Sequence, residues 1–262
     1  MSAPTGKGRA DLLVELGTEE LPPTALKQLG EQFALLMKTA LTDAGLANDP
    51  DCDWFATPRR LAVRVAAVAK RGADQVNERR GPALAAAFDE NGEPTPAAAG
   101  FARSCGVDVK QLETLETDKG KWLVQRAVLP GASATQLIGP CIQSALEKLP
   151  IPKRMRWGES TAEFVRPVHW LVVLHGKQIV PCQVLDITAG RNSCGHRFMG
   201  ESDVCIPDAC DYEKALRTQG AVIADFATRS RLIEQQVSKL GTKAGGQAVI
   251  DAQLLDTVTA LV

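Results

Sequence analysis

The sequence has no long hydrophobic run and no excess of charge of either sign. Its longest unbroken apolar stretch, Ala83 to Phe88, has six residues, whereas a membrane-spanning helix needs about 20. The chain has 30 basic and 31 acidic residues, for a net charge of -1. The first absence excludes a membrane-spanning helix. The second excludes a globally basic nucleic-acid-binding protein, although it leaves room for a local basic patch.

Familiar catalytic and nucleotide-binding signatures are also missing. The chain contains no Gly-x-x-x-x-Gly-Lys-Ser/Thr phosphate loop, no Gly-x-Gly-x-x-Gly fingerprint and no Gly-x-Ser-x-Gly elbow. It has only three histidines, His169, His175 and His196, so a histidine-based metal site would need nearly all of them. Residue chemistry alone therefore predicts neither a catalytic constellation nor a metal site.

The seven cysteines show no spacing typical of a disulfide framework. The polar N-terminal residues lack the apolar core of a signal peptide. Both features favour a location in the reducing cytoplasm.

Strand-like and helical segments do not alternate regularly along the chain. This pattern favours an α+β fold with mixed or antiparallel sheets, packed helices and a helical C-terminal segment. We expect strands at Leu12 to Leu16 and Leu61 to Val68, and a long helix capped by Thr24 between them. The predicted domains are a disordered tail over 1–10, one or more α+β domains over 11–205, and a helical segment over 206–262. Because apolar residues at helical spacing reach the last residue, we expect a further C-terminal part.

The first candidate interface is a basic stretch over 57–82, with seven basic residues against two acidic ones. Arg59, Arg60, Arg79 and Arg80 form two arginine pairs in it. Guanidinium groups bind phosphate through forked donors, which favours contact with an RNA backbone. The alternative is a solvated strand edge, since basic side chains protect edges from aggregation.

A second stretch interleaves basic and aromatic residues over 151–170. Lys153, Arg154, Arg156 and Arg166 alternate there with two tryptophans and a phenylalanine. Such a pattern can hold splayed or single-stranded bases. The alternatives are that the tryptophans belong to the core and that the arginines pair with Glu159 and Glu163 within the fold.

A third stretch runs from Cys194 to Gly200 and contains His196 and Arg197. A metal site or a thiol nucleophile at Cys194 is disfavoured, because paired ligands are lacking and adjacency of Cys and His is weak support. A tight turn that binds phosphate or a partner remains open. The acidic trio Glu15, Glu19 and Glu20 could act in acid–base chemistry or hold magnesium. We favour the alternative that Glu19 and Glu20 lie at the start of the next helix and complement its dipole.

Several motifs in order along the chain carry a resemblance to a known family. They are Val14 to Pro23, Thr57 to Leu61, Arg80 to Pro82, Thr117 to Gly120, Leu149 to Lys153, Met155 to Gly158, Phe164 to His169 and Gly195 to Phe198. Together they resemble the β subunit of bacterial tetrameric glycyl-tRNA synthetase, from about Leu12 to Val262. The family's subunit is much longer, so the resemblance implies an N-terminal portion.

The resemblance implies an α2β2 ligase that joins glycine to tRNA(Gly) at the expense of ATP. It implies that ATP, Mg and glycine are handled by the α subunit, that this portion holds no cofactor, and that its partners are the α subunit and tRNA(Gly) rather than DNA or a membrane. It transfers no residue role. The candidate contacts with tRNA or the partner subunit are therefore the basic residues of the three stretches: Arg59, Arg60, Arg79, Arg80, Lys153, Arg154, Arg156, Arg166, His196 and Arg197.

Two other functions compete with this interpretation. A stand-alone RNA-binding module would bind RNA without any partner. A hydrolase, with an editing role, would use Cys194 or the Glu19 and Glu20 pair.

Overall fold

The computed structural model describes residues 8–72, 74–89, 92–117, 120–151 and 153–262. Its strands are β1 (Arg9–Thr18), β2 (Cys52–Thr57), β3 (Arg60–Ala69), β4 (Gln75–Ala83), β5 (Glu113–Thr117), β6 (Gly120–Leu129), β7 (Met155–Arg156), β8 (Glu163–Phe164), β9 (Val168–His175), β10 (Gln178–Ile179), β11 (Gln183–Val184), β12 (Ile187–Thr188), β13 (Asn192–Ser193) and β14 (Val204–Cys205). Its α-helices are α1 (Pro23–Asp43), α2 (Leu84–Ala87), α3 (Pro96–Cys105), α4 (Ala134–Glu147), α5 (Tyr212–Thr218), α6 (Phe226–Lys243) and α7 (Ala252–Leu261).

By its residue contacts the chain divides into two compact units. One consists of the described residues of Met1–Gly72 and Ala132–Val262, and the other of those of Ala73–Gly131. Arg9 and Ala10 already belong to β1, whereas residues 1–7 of the predicted tail lie outside the described part. The division predicted at 205 and 206 stays a prediction.

The first unit is built on a five-stranded antiparallel sheet in the order β10-β9-β1-β3-β2. Because side chains alternate between the two faces of a strand, β1 contributes to two cores. Leu12, Val14 and Leu16 pack with α1 and α4 in the larger core. Leu13 points to the opposite face and packs with Tyr212 and other residues near α5. The sheet is therefore covered on both faces.

The second unit has its own sheet and its own small core. β4, β6 and β5 pair in that order as antiparallel strands. Ala87, Ala98 and Leu123 are the buried residues of this core among those described. α3 begins with Thr95 as its N-cap and ends with Gly106 in the left-handed region as its C-cap, which is the expected use of these residue types.

The predicted α+β class, with antiparallel sheets and a helical C-terminal segment, is confirmed. The predicted cap of α1 is wrong, because the helix begins at Pro23 and its N-cap is Pro22, without a side-chain cap. Proline suits this position because its missing N–H would have no partner there anyway. In the described part of the chain, no helix has the length and apolar character needed to span a bilayer.

Candidate nucleic-acid interface

A cleft of about 880 Å³ in the first unit brings together several of the predicted basic residues. We call it the arginine cleft, after the four arginines that line it: Arg59, Arg60, Arg197 and Arg229. His196 also lines the cleft, and Glu20 is the carboxylate among its described lining residues. The first and third basic stretches, more than 130 residues apart in sequence, therefore meet at one site.

Strand register explains why Arg60 lies at the base of this cleft. Gly17 of β1 pairs with Arg60 of β3 on one side and with Trp170 of β9 on the other. A Cβ atom at Gly17 would lie 1.8 Å from the Trp170 ring, so only glycine lets the indole lie across β1. Two residues earlier in β1, Glu15 lies on the same sheet face. The strand register thus places Glu15, Arg60 and Trp170 on the same face of the sheet.

Glu15 is fully buried and forms the centre of this polar cluster. Its Oε1 accepts hydrogen bonds from Trp170 Nε1 at 2.6 Å and from Ser193 Oγ at 2.5 Å. Arg60 Nε lies 3.7 Å from the same oxygen, and a terminal nitrogen of Arg60 donates to the carbonyl oxygen of Cys194. A buried carboxylate needs such partners. Arg60 is 3% exposed. It therefore contacts both Glu15 in the sheet and the backbone of the third basic stretch at Cys194.

Arg59 projects from the two-residue turn between β2 and β3 and is partly exposed. Its guanidinium lies 3.3 Å from Glu19 Oε1 and 3.9 Å from Glu20 Oε1. His169 Nε2 lies 2.7 Å from the same Glu19 oxygen. The expectation that Glu19 and Glu20 serve the dipole of α1 is wrong, because the first turn of that helix has no acidic residue. These carboxylates instead pair with Arg59 at the rim of the cleft.

Arg166 and Arg197 complete this rim. Arg166 Nε donates to the backbone oxygen of Glu20 at 2.9 Å. An Arg197 nitrogen lies 4.0 Å from Glu20 Oε1, and both side chains are more than half exposed. Exposed pairs at such distances hold side chains weakly. The guanidinium of Arg197 therefore remains available to a ligand.

The segment from Gly195 to Gly200 forms the tight turn expected from its two glycines. The Nδ1 atom of His196 accepts hydrogen bonds from the backbone N–H groups of Phe198 and Met199, each at 3.2 Å. A Cβ atom at Gly200 would lie 2.0 Å from the oxygen of Gly220, so the turn lies directly against a neighbouring backbone segment. Phe198 is held at its tip and is 86% exposed.

Arg229 enters the cleft from α6, and no sequence motif predicted it. It is 7% exposed, and its terminal nitrogens donate to the backbone oxygens of Ile223, Ala224, Ala56 and Thr259. Burial lowers the pKa of Arg229 to about 10, so the side chain is still cationic at neutral pH. The signal that could have revealed it is the placement of an arginine among the apolar residues of an amphipathic helix.

Lys153, Arg154 and Arg156 lie away from this site. Arg154 donates to the carbonyl oxygens of Leu146 and Glu147 at 2.9 and 3.0 Å, at the end of α4. Arg156 pairs with Glu163 at 2.6 Å, as the sequence alternative proposed, and Lys153 is exposed. Arg154 and Arg156 line a second cleft, of about 590 Å³, together with Glu147, Glu163 and Asp186. We call it the acidic cleft.

Arg79 and Arg80 belong to the second unit. Arg79 donates to the backbone oxygen of Ser104 at 3.0 Å. The Arg80 guanidinium lies 3.8 Å from the centroid of the Trp122 ring, a cation–π contact. Both side chains are exposed, and their predicted contact with tRNA stays a prediction, as it does for the other candidate residues.

Cys194 lines the arginine cleft but has the wrong environment for a nucleophile. Burial raises the pKa of its thiol, and the nearby Glu15 carboxylate raises it further. A reactive cysteine needs the opposite shift. Among the described residues, no group of three or more metal-binding side chains is arranged to hold an ion. The cleft is therefore suited to binding an anionic, partly apolar molecule rather than to thiol or metal chemistry.

Comparison with known proteins decides the family. A family model for the glycyl-tRNA synthetase beta subunit matches residues 12–262. The chain belongs to the glycyl-tRNA synthetase β-subunit family. This confirms the resemblance carried by the ordered motifs, of which Asp118, Lys119 and Pro152 lie outside the described residues.

Individual relatives agree with the family model. The glycine–tRNA ligase beta subunit of Hahella chejuensis is 48% identical over 251 residues, which cover 96% of this chain and 36% of the relative. The beta subunit of Marinobacter nauticus is 49% identical over 252 residues, which also cover 96% of this chain and 36% of the relative. The beta subunit of Klebsiella pneumoniae is 49% identical over 250 residues, which cover 95% of this chain and 36% of the relative. The chain thus spans 36% of the length of these relatives.

Proposed function

We propose that this chain is a portion of the β subunit of a cytoplasmic glycine–tRNA ligase, and that it supports ATP-dependent attachment of glycine to tRNA(Gly) by binding tRNA. In this proposal the active site, with ATP, Mg and glycine, lies in the α subunit, which is the chain's protein partner. The arginine cleft is the surface that contacts the tRNA. The observation that carries the proposal is the convergence of four arginines on one cleft in a member of this family.

Charge and geometry both support contact between the cleft and RNA. Arg59 and Arg197 lie at the rim and are partly or largely exposed, so their guanidinium groups can reach phosphate oxygens. Phe198 beside them offers an exposed aromatic ring. Arginine and an aromatic side chain are the usual pair for backbone contact and base stacking in RNA recognition.

The hydrolase alternative has less support. The raised pKa of Cys194 leaves little thiolate at neutral pH. Glu19 is engaged by Arg59 and His169 at the rim, so its carboxylate already has partners within the fold. A stand-alone RNA-binding module would use the same cleft but would not need an α subunit. The two remaining functions therefore differ in their partner rather than in their site.

The test uses the full-length β subunit assembled with its α subunit. In the double variant Arg59→Ala/Arg197→Ala, we expect weaker tRNA(Gly) binding and a flatter dependence of affinity on salt concentration. Each phosphate contact contributes roughly 0.7–0.9 to the slope of log affinity against log salt, so losing both should change the slope by about 1.5. Charging by the complex should show a raised KM for tRNA, with little change in the KM for glycine or ATP.

Arg217→Ala is the matched control, because Arg217 is an exposed arginine of α5 outside the cleft lining. It should leave both the affinity and the salt slope unchanged. Equal slopes for the double variant and the wild type would contradict the proposal. Specific tRNA binding and charging that persist without the α subunit would favour the stand-alone module instead.

A further inference from the structure

We propose that the arginine cleft receives one unpaired nucleotide of the RNA, with its base against the apolar wall and its phosphate beside the arginines. The inference deepens the proposed function and rests on it, since it names which part of an RNA enters the site. The cleft has an apolar compartment and a cationic one, and a surface that binds only phosphates would not need the apolar compartment.

The apolar compartment is formed by the segment before α6 and by one face of that helix. Val222, Ile223, Leu232 and Ile233 line it and are partly buried. A cleft of about 880 Å³ falls in the size range of small-molecule sites, which are concave and mostly apolar with a few polar groups. A planar base fits such a wall, whereas the sugar–phosphate backbone of a duplex has no apolar face of this kind to place there.

The cationic compartment contains Arg229, a buried charge on which the Asp225 carboxylate acts through space, without a direct ion pair among the described residues. In the described part of the chain its guanidinium has hydrogen bonds only to backbone oxygens and no ion pair, and its Nε atom has no hydrogen-bond partner. Arg60 beside it is buried too, and its own Nε also lacks a hydrogen bond. Buried charges are normally paired. Arg60 has Glu15 as its ion-pair partner. The surplus of positive charge that a phosphate would balance therefore comes from the whole lining, in which four arginines face Glu20 among the described residues.

The turn at Gly195 to Gly200 adds an exposed aromatic ring on a fixed stretch of backbone. Phe198 lines the cleft although it is highly exposed, and its backbone N–H is fixed by His196. A backbone already held in place lowers the entropy cost of binding against the side chain that it carries. It can stack on a base that leaves the helical stack, but it cannot reach the face of a base that is paired inside a duplex.

The experiment compares Ile233→Trp with Leu240→Trp in the full-length holoenzyme. Ile233 lines the cleft, whereas Leu240 is an exposed residue on the same helix outside the lining. The indole at 233 should fill the apolar compartment and leave all four arginines in place. The probe is tRNA(Gly), read by chemical modification of its bases and by its affinity for the enzyme.

We expect the wild type to protect at least one unpaired base and Ile233→Trp to lose that protection. Its affinity should fall by about tenfold, the size of one stacking contact, while the salt slope stays unchanged. Phe198→Ala should also weaken binding, and it should leave the stability of the fold unchanged, because the side chain that it removes is exposed. Leu240→Trp should match the wild type in both readouts.

Two results would overturn the inference and leave the proposed function standing. One is protection of phosphates and paired bases only, lost in Arg59→Ala/Arg197→Ala but unaffected in Ile233→Trp. The other is an Ile233→Trp subunit with an unchanged RNA footprint and a lower thermal stability. That result would mean that a segment of protein, rather than a nucleotide, occupies the cleft. If the double arginine variant also bound tRNA normally, the proposed function itself would fail.

Discussion

The arginine cleft and the acidic cleft both contain arginines that the sequence marked as candidates, yet their electrostatic character differs. Among the described residues, four arginines and one acidic side chain line the first. Arg154 and Arg156 in the second face Glu147, Glu163 and Asp186. The carboxylates of the acidic cleft come from three different segments of the chain. The comparison teaches that a basic stretch predicts a basic surface only when its neighbours in space are known.

Burial also separates the two clefts. The central ion pair of the arginine cleft joins Glu15 and Arg60, which are almost fully shielded from water. The pair of Arg156 and Glu163 in the acidic cleft is open to solvent on both sides. Removing one partner of a buried pair leaves an uncompensated charge, whereas an exposed pair contributes little. The following predictions test this difference, beginning with the largest effect.

Glu15→Ala should destabilise the first unit by about 3–5 kcal/mol, because it leaves Arg60 buried without its carboxylate. It also removes the acceptor of Trp170 and Ser193. Urea unfolding of the full-length β subunit, followed by tryptophan fluorescence, measures the loss. Glu163→Ala is the matched change in the acidic cleft and should cost less than about 1 kcal/mol. Similar losses for the two variants would remove the distinction between the clefts.

Arg154→Ala should cost about 1–2 kcal/mol, because two carbonyl oxygens at the C-terminal end of α4 lose a charged donor. Arg154→Lys should recover part of the loss, since an ammonium group can still reach one of these oxygens. The same unfolding experiment measures both variants. A stability change below about 0.3 kcal/mol for Arg154→Ala would mean that water satisfies the end of α4 equally well.

Cys194 should react slowly with iodoacetamide at pH 8 compared with the exposed Cys205. Burial and the Glu15 carboxylate raise the pKa of Cys194, so its thiolate fraction at pH 8 is below that of an ordinary thiol and keeps rising as the pH increases past 9. Glu15→Gln removes the charge of Glu15, one of the causes of the raised pKa, and should speed the reaction. Mass spectrometry of the labelled peptides gives the rates. Rapid labelling of Cys194 at pH 8 would revive the hydrolase alternative.

Much of the fold followed from local patterns. The pattern of Leu61 to Val68 and the apolar run at Leu12 to Leu16 predicted β3 and β1, and the helical segment expected over 206–262 contains α5, α6 and α7. Gln178 to Ile187 has a strand-like composition but is divided between β10, β11 and the start of β12. Positive φ angles at Leu185 and Asp186 turn the chain there, and neither residue signals such a turn as glycine would.

The candidate site was predictable only in part. The basic character of Arg59, Arg60 and Arg197 is visible in the sequence, and so are the glycines that shape the turn at 195–200. Arg229 was not found in this way, because no candidate residue is near it in sequence and the other basic residues of α6, among them Arg231, do not distinguish it. The roles predicted for Glu19 and Glu20 were wrong. The partners of Glu19 are Arg59 and His169, which lie 40 and 150 residues away in sequence.

The sequence by itself determined the family, through ordered motifs that need no structure to be read, and the segments that form helices and strands, through periodicity. Only the tertiary structure decided which charges are buried, which are paired and which line a common cleft. The reason is that secondary structure depends on neighbours along the chain. The environment of a charge depends instead on strand register, as at Arg60, Gly17 and Trp170, and on the docking of distant helices, as at Arg229.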